Sequence, residues 1–439
     1  MKSFSRPRSN YWRPLGLLTL VCLSISIAVN EWSYTVRVPL LLSYFGKVVA
    51  ASGFLVLGAA SGALFLKGYP ERVRLWLYLS LGLYILILIS GRLLWFVSSP
   101  SPWIYVGLGQ AILAGFVGCR IGQNGTTAQW TLRTIARASA VVSVYMFLTP
   151  TPRVGSVFPV IGVGWPVQLF ILFGFCWYAS TALMTPKLSG EMIVGILVCS
   201  LEVFVSFHKP TVIAGLGCMM SMIMMVQAVG QRRWRANYRA FAWATLLTVA
   251  ILAVVEFNGG SWFESYREDF YVQYLHRNSG YEQIALDEQT LQQFSGGRFR
   301  LWDEAFEQFL QSPWVGSGPG MTFFADSSFQ EIHAHNGYLE LLYSIGVIGA
   351  FAHVVAACVW FRETILARGF DRRADIMVPI AAYVGGFLTF ETGGGATVFH
   401  NLLTFLSLLM GIGLGYSVAC AAPPVSRRFG AREVVVGPN

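Results

Sequence analysis

Apolar runs long enough to cross a bilayer recur from one end of the chain to the other, separated by short polar segments. A membrane-spanning helix needs about 20 consecutive apolar residues. On that measure the pattern predicts helices near residues 14–30, 40–66, 75–96, 102–119, 134–149, 162–184, 190–207, 211–229, 240–256, 335–361, 376–392 and 401–419. The expected fold class is therefore an all-α polytopic membrane protein with about 12 transmembrane helices. One long polar stretch, residues 257–334, interrupts the series. Within it, from Phe299 to Leu310, the apolar residues Leu301, Trp302, Ala305, Phe306, Phe309 and Leu310 fall on one helical stripe, and Asp303, Glu304 and Glu307 on the other. This predicts a short amphipathic helix that lies on the membrane face or caps the bundle. Ser312-Pro313 ends it, glycines follow at 316, 318 and 320, and the chain returns to the membrane through His-Ala-His-Asn-Gly at 333–337. The chain then divides into helices one to nine (1–256), the large loop (257–334), helices ten to twelve (335–421) and a polar tail (422–439).

Composition agrees: 55% of residues are hydrophobic and 12% charged, more apolar surface than a soluble fold of 439 residues can hide. The net charge of +9 does not point to nucleic acid, because the basic residues sit in short clusters between apolar runs. Seven such clusters hold 22 of the 31 basic residues, and all seven fall on one side if the helix number is even and both termini are cytoplasmic. The large loop is then on the outer side of the membrane, away from the cytoplasm. A run at 15–29 behind a basic head could be taken for a secretion signal, but no small-x-small cleavage site follows it, so it is expected to be the first membrane helix. None of the seven cysteines lies in the large loop and none forms a CxxC pair, so neither a disulfide framework nor a zinc site is expected.

Chemistry-bearing residues gather toward the outer side. Arg298 follows Gly296-Gly297 and precedes the amphipathic helix, a setting that suits an anion such as a diphosphate, or else a solvated arginine. His333 and His335 stand where the tenth helix begins and could serve as a general base, an oxyanion ligand or interfacial hydrogen-bonding groups. His208 and Lys209 are expected to end the seventh helix, where an ammonium could hold phosphate or act as an ordinary snorkelling anchor. Glu202 is expected on the same face of that helix, about 10 Å below Lys209, and an acid inside a span is a functional candidate. Arg92, Arg153 and Glu391 are further outer-side candidates, and His353 and His400 carry weaker signals. No metal or other cofactor is expected, and without a Walker-type loop or a paired-Asp motif the donor is not expected to be a nucleotide.

The run GGRFRLWDEAFEQFLQSPWVGSGPGMTFF, followed by HAHNGYLELLYSIGVIG, resembles the shared domain of O-antigen ligases and O-antigen polymerases. The ordered residues that carry the resemblance are Gly297, Arg298, Trp302, Pro313, Gly316, Gly318, His335, Asn336, Tyr338 and Leu339. Twelve helices with one large outer loop between the ninth and tenth also resemble the ligases, which implies a GT-C-like membrane enzyme. The resemblance implies transfer of a glycan from undecaprenyl diphosphate to a sugar hydroxyl at the periplasmic face. The acceptor is lipid A core for a ligase and another lipid-linked repeat for a polymerase. It further implies inversion at the anomeric carbon without a metal, two basic residues on the diphosphate, and a histidine that activates the acceptor. Arg298 and His335 match two of these roles, with His333 as a further catalytic candidate. The third basic residue is usually an arginine at the outer end of an earlier helix. Lys209, beside His208, stands there, keeping the charge but losing the bidentate geometry. Topology favours a ligase. A twelve-helix transporter or flippase is the alternative of another class, and it would call for a polar midplane path and repeat symmetry.

Overall fold

The computed structural model describes residues 12–35, 40–64, 71–89, 102–148, 165–185, 188–205, 209–229, 298–317, 336–366, 373–391 and 402–421. Twelve helices occur among the described residues, and no strand: α1 Trp12–Thr35, α2 Leu40–Ala60, α3 Glu71–Ile89, α4 Pro102–Gly122, α5 Gly125–Leu148, α6 Trp165–Met184, α7 Gly190–Val205, α8 Lys209–Val229, α9 Arg298–Gln311, α10 Gly337–Thr364, α11 Ala374–Phe390 and α12 Leu402–Ala421. Eleven of these answer to expected spans and α9 to the amphipathic segment. The expected helix at 240–256 lies outside the described residues. By length and composition α6, α10 and α12 are each long and apolar enough to cross a membrane.

Helix α6 is the centre of the bundle. Its Phe170 and Phe173 pack edge-on or tilted against Phe405 of α12, and Phe173 and Phe405 both meet Tyr383 of α11. Around this centre the closest helix pairs are made by small residues, as expected where the solvent is lipid and apolar burial alone does not drive association. In the α4–α12 seam, Gly118, Gly122, Gly411 and Gly415 each stand where a β-carbon would overlap a backbone carbonyl of the opposite helix. In the α8–α11 seam Gly217 lies against Thr389, Gly386 against Cys218 and Gly385 against Ser221, so the two helices run antiparallel.

Two expectations about helix ends are corrected. The connection expected between the helices at 102–119 and 134–149 is not an open loop: only residues 123–124 separate α4 from α5. Asn124 caps α5 by accepting a hydrogen bond from the Thr127 N–H (3.1 Å). The basic residues there knit helix ends together. Arg120 donates to the Ser61 carbonyl just past α2, and Arg133 and Arg137 both clasp Glu191 at the start of α7. Buried Arg373 likewise donates to the Ser417 carbonyl (3.0 Å), while the Ser417 hydroxyl donates to the Glu363 carbonyl, joining α10, α11 and α12 at one end. Secondly, Lys209 does not end α7. That helix stops at Val205, and Lys209 is the first residue of α8. Pro210 accounts for the position, because a proline is tolerated in a helix's first turn and not in its interior. Glu202, buried in α7, therefore does not share a helix face with Lys209.

Helix α10 has 28 residues, roughly 42 Å at the usual rise and longer than the ~30 Å hydrocarbon core. It is broken at Gly346, whose φ of +64° favours glycine. The break opens backbone groups that an α-helix would pair internally, and the segment after α9 fills them. Val347 N–H donates to the Pro313 carbonyl (2.8 Å), Ile348 N–H to the Trp314 carbonyl (3.2 Å), and Ser317 N–H to the Tyr343 carbonyl (2.6 Å). Gly316, also at positive φ (+72°), lies flat on the Ser344 backbone, and Gly346 on that of Trp314. Pro313 and Gly316, singled out by the resemblance, thus build the dock between loop and membrane helix.

Helix α9 rests on the part of α10 before the break. Buried Ala305 and Tyr343 form a small core with Trp302, Phe309 and Leu339. The apolar stripe read as one surface is in fact divided: Trp302, Ala305 and Phe309 face α10, whereas Phe306, Leu310 and then Trp314 are exposed.

Candidate functional site

The described backbone brings three helix starts to one end of the bundle. The α9–α10 pairing sets the first two. Pro313 and Trp314 bond at residues 347 and 348, and Ala305, nearer the start of α9, packs on Tyr343, nearer the start of α10. The two helices thus run in the same direction. Arg298 lies seven residues before Ala305, about 10 Å, and Gly337 six residues before Tyr343, about 9 Å. Arg298 therefore opens α9 at the height at which α10 begins.

The start of α10 is tied to the end of α11. Asn336 caps α10, its side-chain carbonyl accepting from the Tyr338 N–H (3.1 Å) and the Leu339 N–H (3.2 Å). Gly337 N–H donates to the Glu391 carbonyl (2.9 Å), and the Tyr338 hydroxyl donates to the Leu388 carbonyl (2.7 Å). The antiparallel α8–α11 seam brings in the third start. Gly217 meets Thr389, and Lys209 lies eight residues, about 12 Å, back along α8 from Gly217. The backbones of Lys209, Arg298 and Asn336 consequently open three helices at the end where α11 terminates.

Helix starts are favourable places for anions, because their first N–H groups lack partners within the helix and the helix dipole is positive there. With Lys209 and Arg298 as the first residues of α8 and α9, the cationic residues and the helix dipoles have the same sign at the same end. Such an arrangement suits a diphosphate. His208, His333 and His335 lie outside the described residues, as do Arg92, Arg153 and His400. Among the described residues no group of three or more His, Cys, Asp or Glu stands close enough to hold a metal ion.

Residues 195–354 match a family model described as O-antigen ligase. Residues 195–354 therefore form a domain of O-antigen ligase type. The matched segment runs from within α7 to beyond the Gly346 break in α10, and it contains His208, Lys209, Arg298, His333 and His335. No curated protein matches the chain. The matched domain is of a glycosyltransferase type, and the apolar helices are those of a membrane protein.

Sequence reasoning missed Glu340, which is buried one turn into α10. The signal was available: it is an acid inside an otherwise apolar run, Tyr-Leu-Glu-Leu-Leu-Tyr, and an acid so placed is costly enough to need a reason. Glu391 was among the weaker candidates. It too is buried, at 3% exposure, and it lies outside the matched segment.

Proposed function

We propose that the protein is a metal-independent, inverting glycosyltransferase that moves a glycan from undecaprenyl diphosphate to a sugar hydroxyl at the periplasmic face of the inner membrane. O-antigen ligation to lipid A core is the preferred reading. The observation that carries it is the O-antigen ligase match over residues 195–354, which takes in each of the helix starts, α8, α9 and α10, that meet at one end of the bundle.

In this reading the acceptor oxygen attacks the anomeric carbon from the face opposite the diphosphate. The new C–O bond forms as the bond to the diphosphate oxygen breaks, and the electron pair leaves on the diphosphate. Arg298 and Lys209, with His208 beside it, hold that leaving group, whose charge grows in the transition state. His335 takes the proton from the acceptor hydroxyl, and His333 is a second candidate for that role. The sugar–diphosphate linkage supplies the driving force, so no nucleotide is consumed. The large loop, 257–334, then lies on the periplasmic side and both termini in the cytoplasm.

Deleting the gene and analysing the envelope glycans tests this directly. A ligase leaves lipid A core without long chains while polymer accumulates on the carrier lipid. Single repeats attached to core would instead mark a repeat-unit polymerase, and unaltered glycans with intact flipping would overturn both. Restoring the gene with Arg298→Ala or His335→Ala should leave an inserted protein without transfer. Full transfer by both variants would refute the site. A flippase would retain transfer chemistry in such a deletion and lose delivery of the carrier lipid to the outer face.

A further inference from the structure

Helix α6 opens at the same end of the bundle as α8. The two run in the same direction. Leu183 and Val226, near their far ends, share one small core, and Gln168 and Thr211 meet within their first turns. There the Thr211 hydroxyl donates to the Gln168 side-chain carbonyl (2.7 Å). Gln168 is 6% exposed and Thr211 1%. The bond settles which way the carboxamide faces: its oxygen turns to α8, and its NH2 group turns away from the hydroxyl. Among the described residues the amide nitrogen has no hydrogen-bond partner.

A nearly buried donor without an acceptor is destabilising, so an amide held in this way calls for a ligand. Two features indicate its chemistry. The carbonyl is already engaged, so the amide can only donate. A group that only accepts, such as a phosphate oxygen, suits it better than a sugar hydroxyl, which both donates and accepts. The amide also rests on a helix start that is short of donors. Pro210, the second residue of α8, has no N–H, so the first turn meets an anion with fewer N–H groups than usual. Lys209 brings a point charge to that turn but not the flat, paired donors of a guanidinium. The Gln168 carboxamide is flat and carries two N–H groups.

We propose that Gln168 is a binding residue for the donor's diphosphate: held by the Thr211 hydroxyl, its amide donates to a diphosphate oxygen seated at the start of α8. This rests on the transferase reading above and carries the donor site to α6, outside the matched segment 195–354. Lys209 and Gln168 then divide between two helices the charge and the planar donors that an arginine combines in one side chain. Gln168 binds by hydrogen bonds alone, and no covalent bond is made or broken at it.

The test measures equilibrium binding of undecaprenyl diphosphate, without a glycan, to the full chain in detergent at about pH 8. Gln168→Met keeps the length of the side chain and removes both donors. It should bind the probe about tenfold more weakly than the unaltered chain. Gln168→Glu still accepts from the Thr211 hydroxyl but turns an acceptor oxygen toward the diphosphate, so it should bind more weakly still. If Gln168 merely braced α6 against α8, the order would reverse, because Glu keeps the brace and Met loses it. Undiminished affinity in Gln168→Met, or tighter binding by Gln168→Glu than by Gln168→Met, would overturn the proposal. Should Gln168→Glu fail to accumulate, the kinetics of Gln168→Met decide. A binding role raises KM for the glycan donor and leaves kcat within about twofold, whereas a lowered kcat at unchanged KM overturns it. The unaltered chain separates the two claims. If it transfers no glycan but the variants lose the probe as expected, the transferase reading falls and the diphosphate site stands. If it transfers glycan and the variants bind the probe as well as it does, the reading stands and the role of Gln168 falls.

Discussion

The α4–α12 seam and the contact between Gly337 and Glu391 both depend on glycine, for opposite reasons. In the seam, Gly118, Gly122, Gly411 and Gly415 recur at helical spacing and admit the backbone of one helix to the backbone of the other. The approach sets main chain against main chain, which is what association in lipid requires. At Gly337 one glycine makes room for a carboxylate whose oxygens find no partner among the described residues. That contact lowers stability. A glycine facing main chain belongs to the scaffold, and a glycine facing a buried carboxyl group without a partner directs attention to chemistry, because local violations of packing and pairing rules concentrate at functional sites.

The largest effect is expected from breaking the seam. Gly415→Val sets a branched side chain against the Cys119 backbone, which cannot turn aside. A loss of about 3 kcal/mol or more is expected, checked by the yield of folded protein and its unfolding midpoint in detergent. Gly337→Ala should be milder, about 1–3 kcal/mol, because the opposing group is a side chain that can move. A double variant sharpens the comparison. Gly337→Ala with Glu391→Ala should be more stable than the two single losses sum to, by about 1 kcal/mol, whereas additive losses would mean the two residues are not coupled. Removing the clasp on Arg133 and Arg137 should matter least. The pairs are substantially exposed, so Glu191→Gln should cost at most about 1 kcal/mol and shrink further in high salt.

The same contrast governs what was legible in the sequence. Scaffold helices are visible because an apolar run of spanning length can satisfy its backbone in lipid only as a helix, and eleven of the expected runs are helical here. Their ends are harder to read. The start of α5 at Gly125 was hidden by its polar first turns, although Asn124 is a recognisable cap. The start of α8 was hidden because His208 and Lys209 suggested a terminus, when Pro210 already marked a first turn. Local order carried the motif around Arg298 and Asn336. No local pattern could reveal that Gly337 touches Glu391, 54 residues further on, because that contact exists only once α10 and α11 pack.

The break at Gly346 also separates two mechanical duties within one helix. The 18 residues after it, 347–364, measure about 27 Å, close to the thickness of a hydrocarbon core. The residues before it are braced by α9 and by the turn at 313–317 rather than by lipid. A thinner or thicker bilayer is expected to tilt the segment after the break about Gly346, while the segment before it keeps its contacts with α9 and α11. The end of the bundle that gathers Lys209, Arg298 and Asn336 should then be insulated from the bilayer's thickness. Transfer rates in vesicles of short-chain and long-chain lipids should differ little, and Gly346→Ala, whose β-carbon would press on the Trp314 backbone and loosen the dock, should make them diverge.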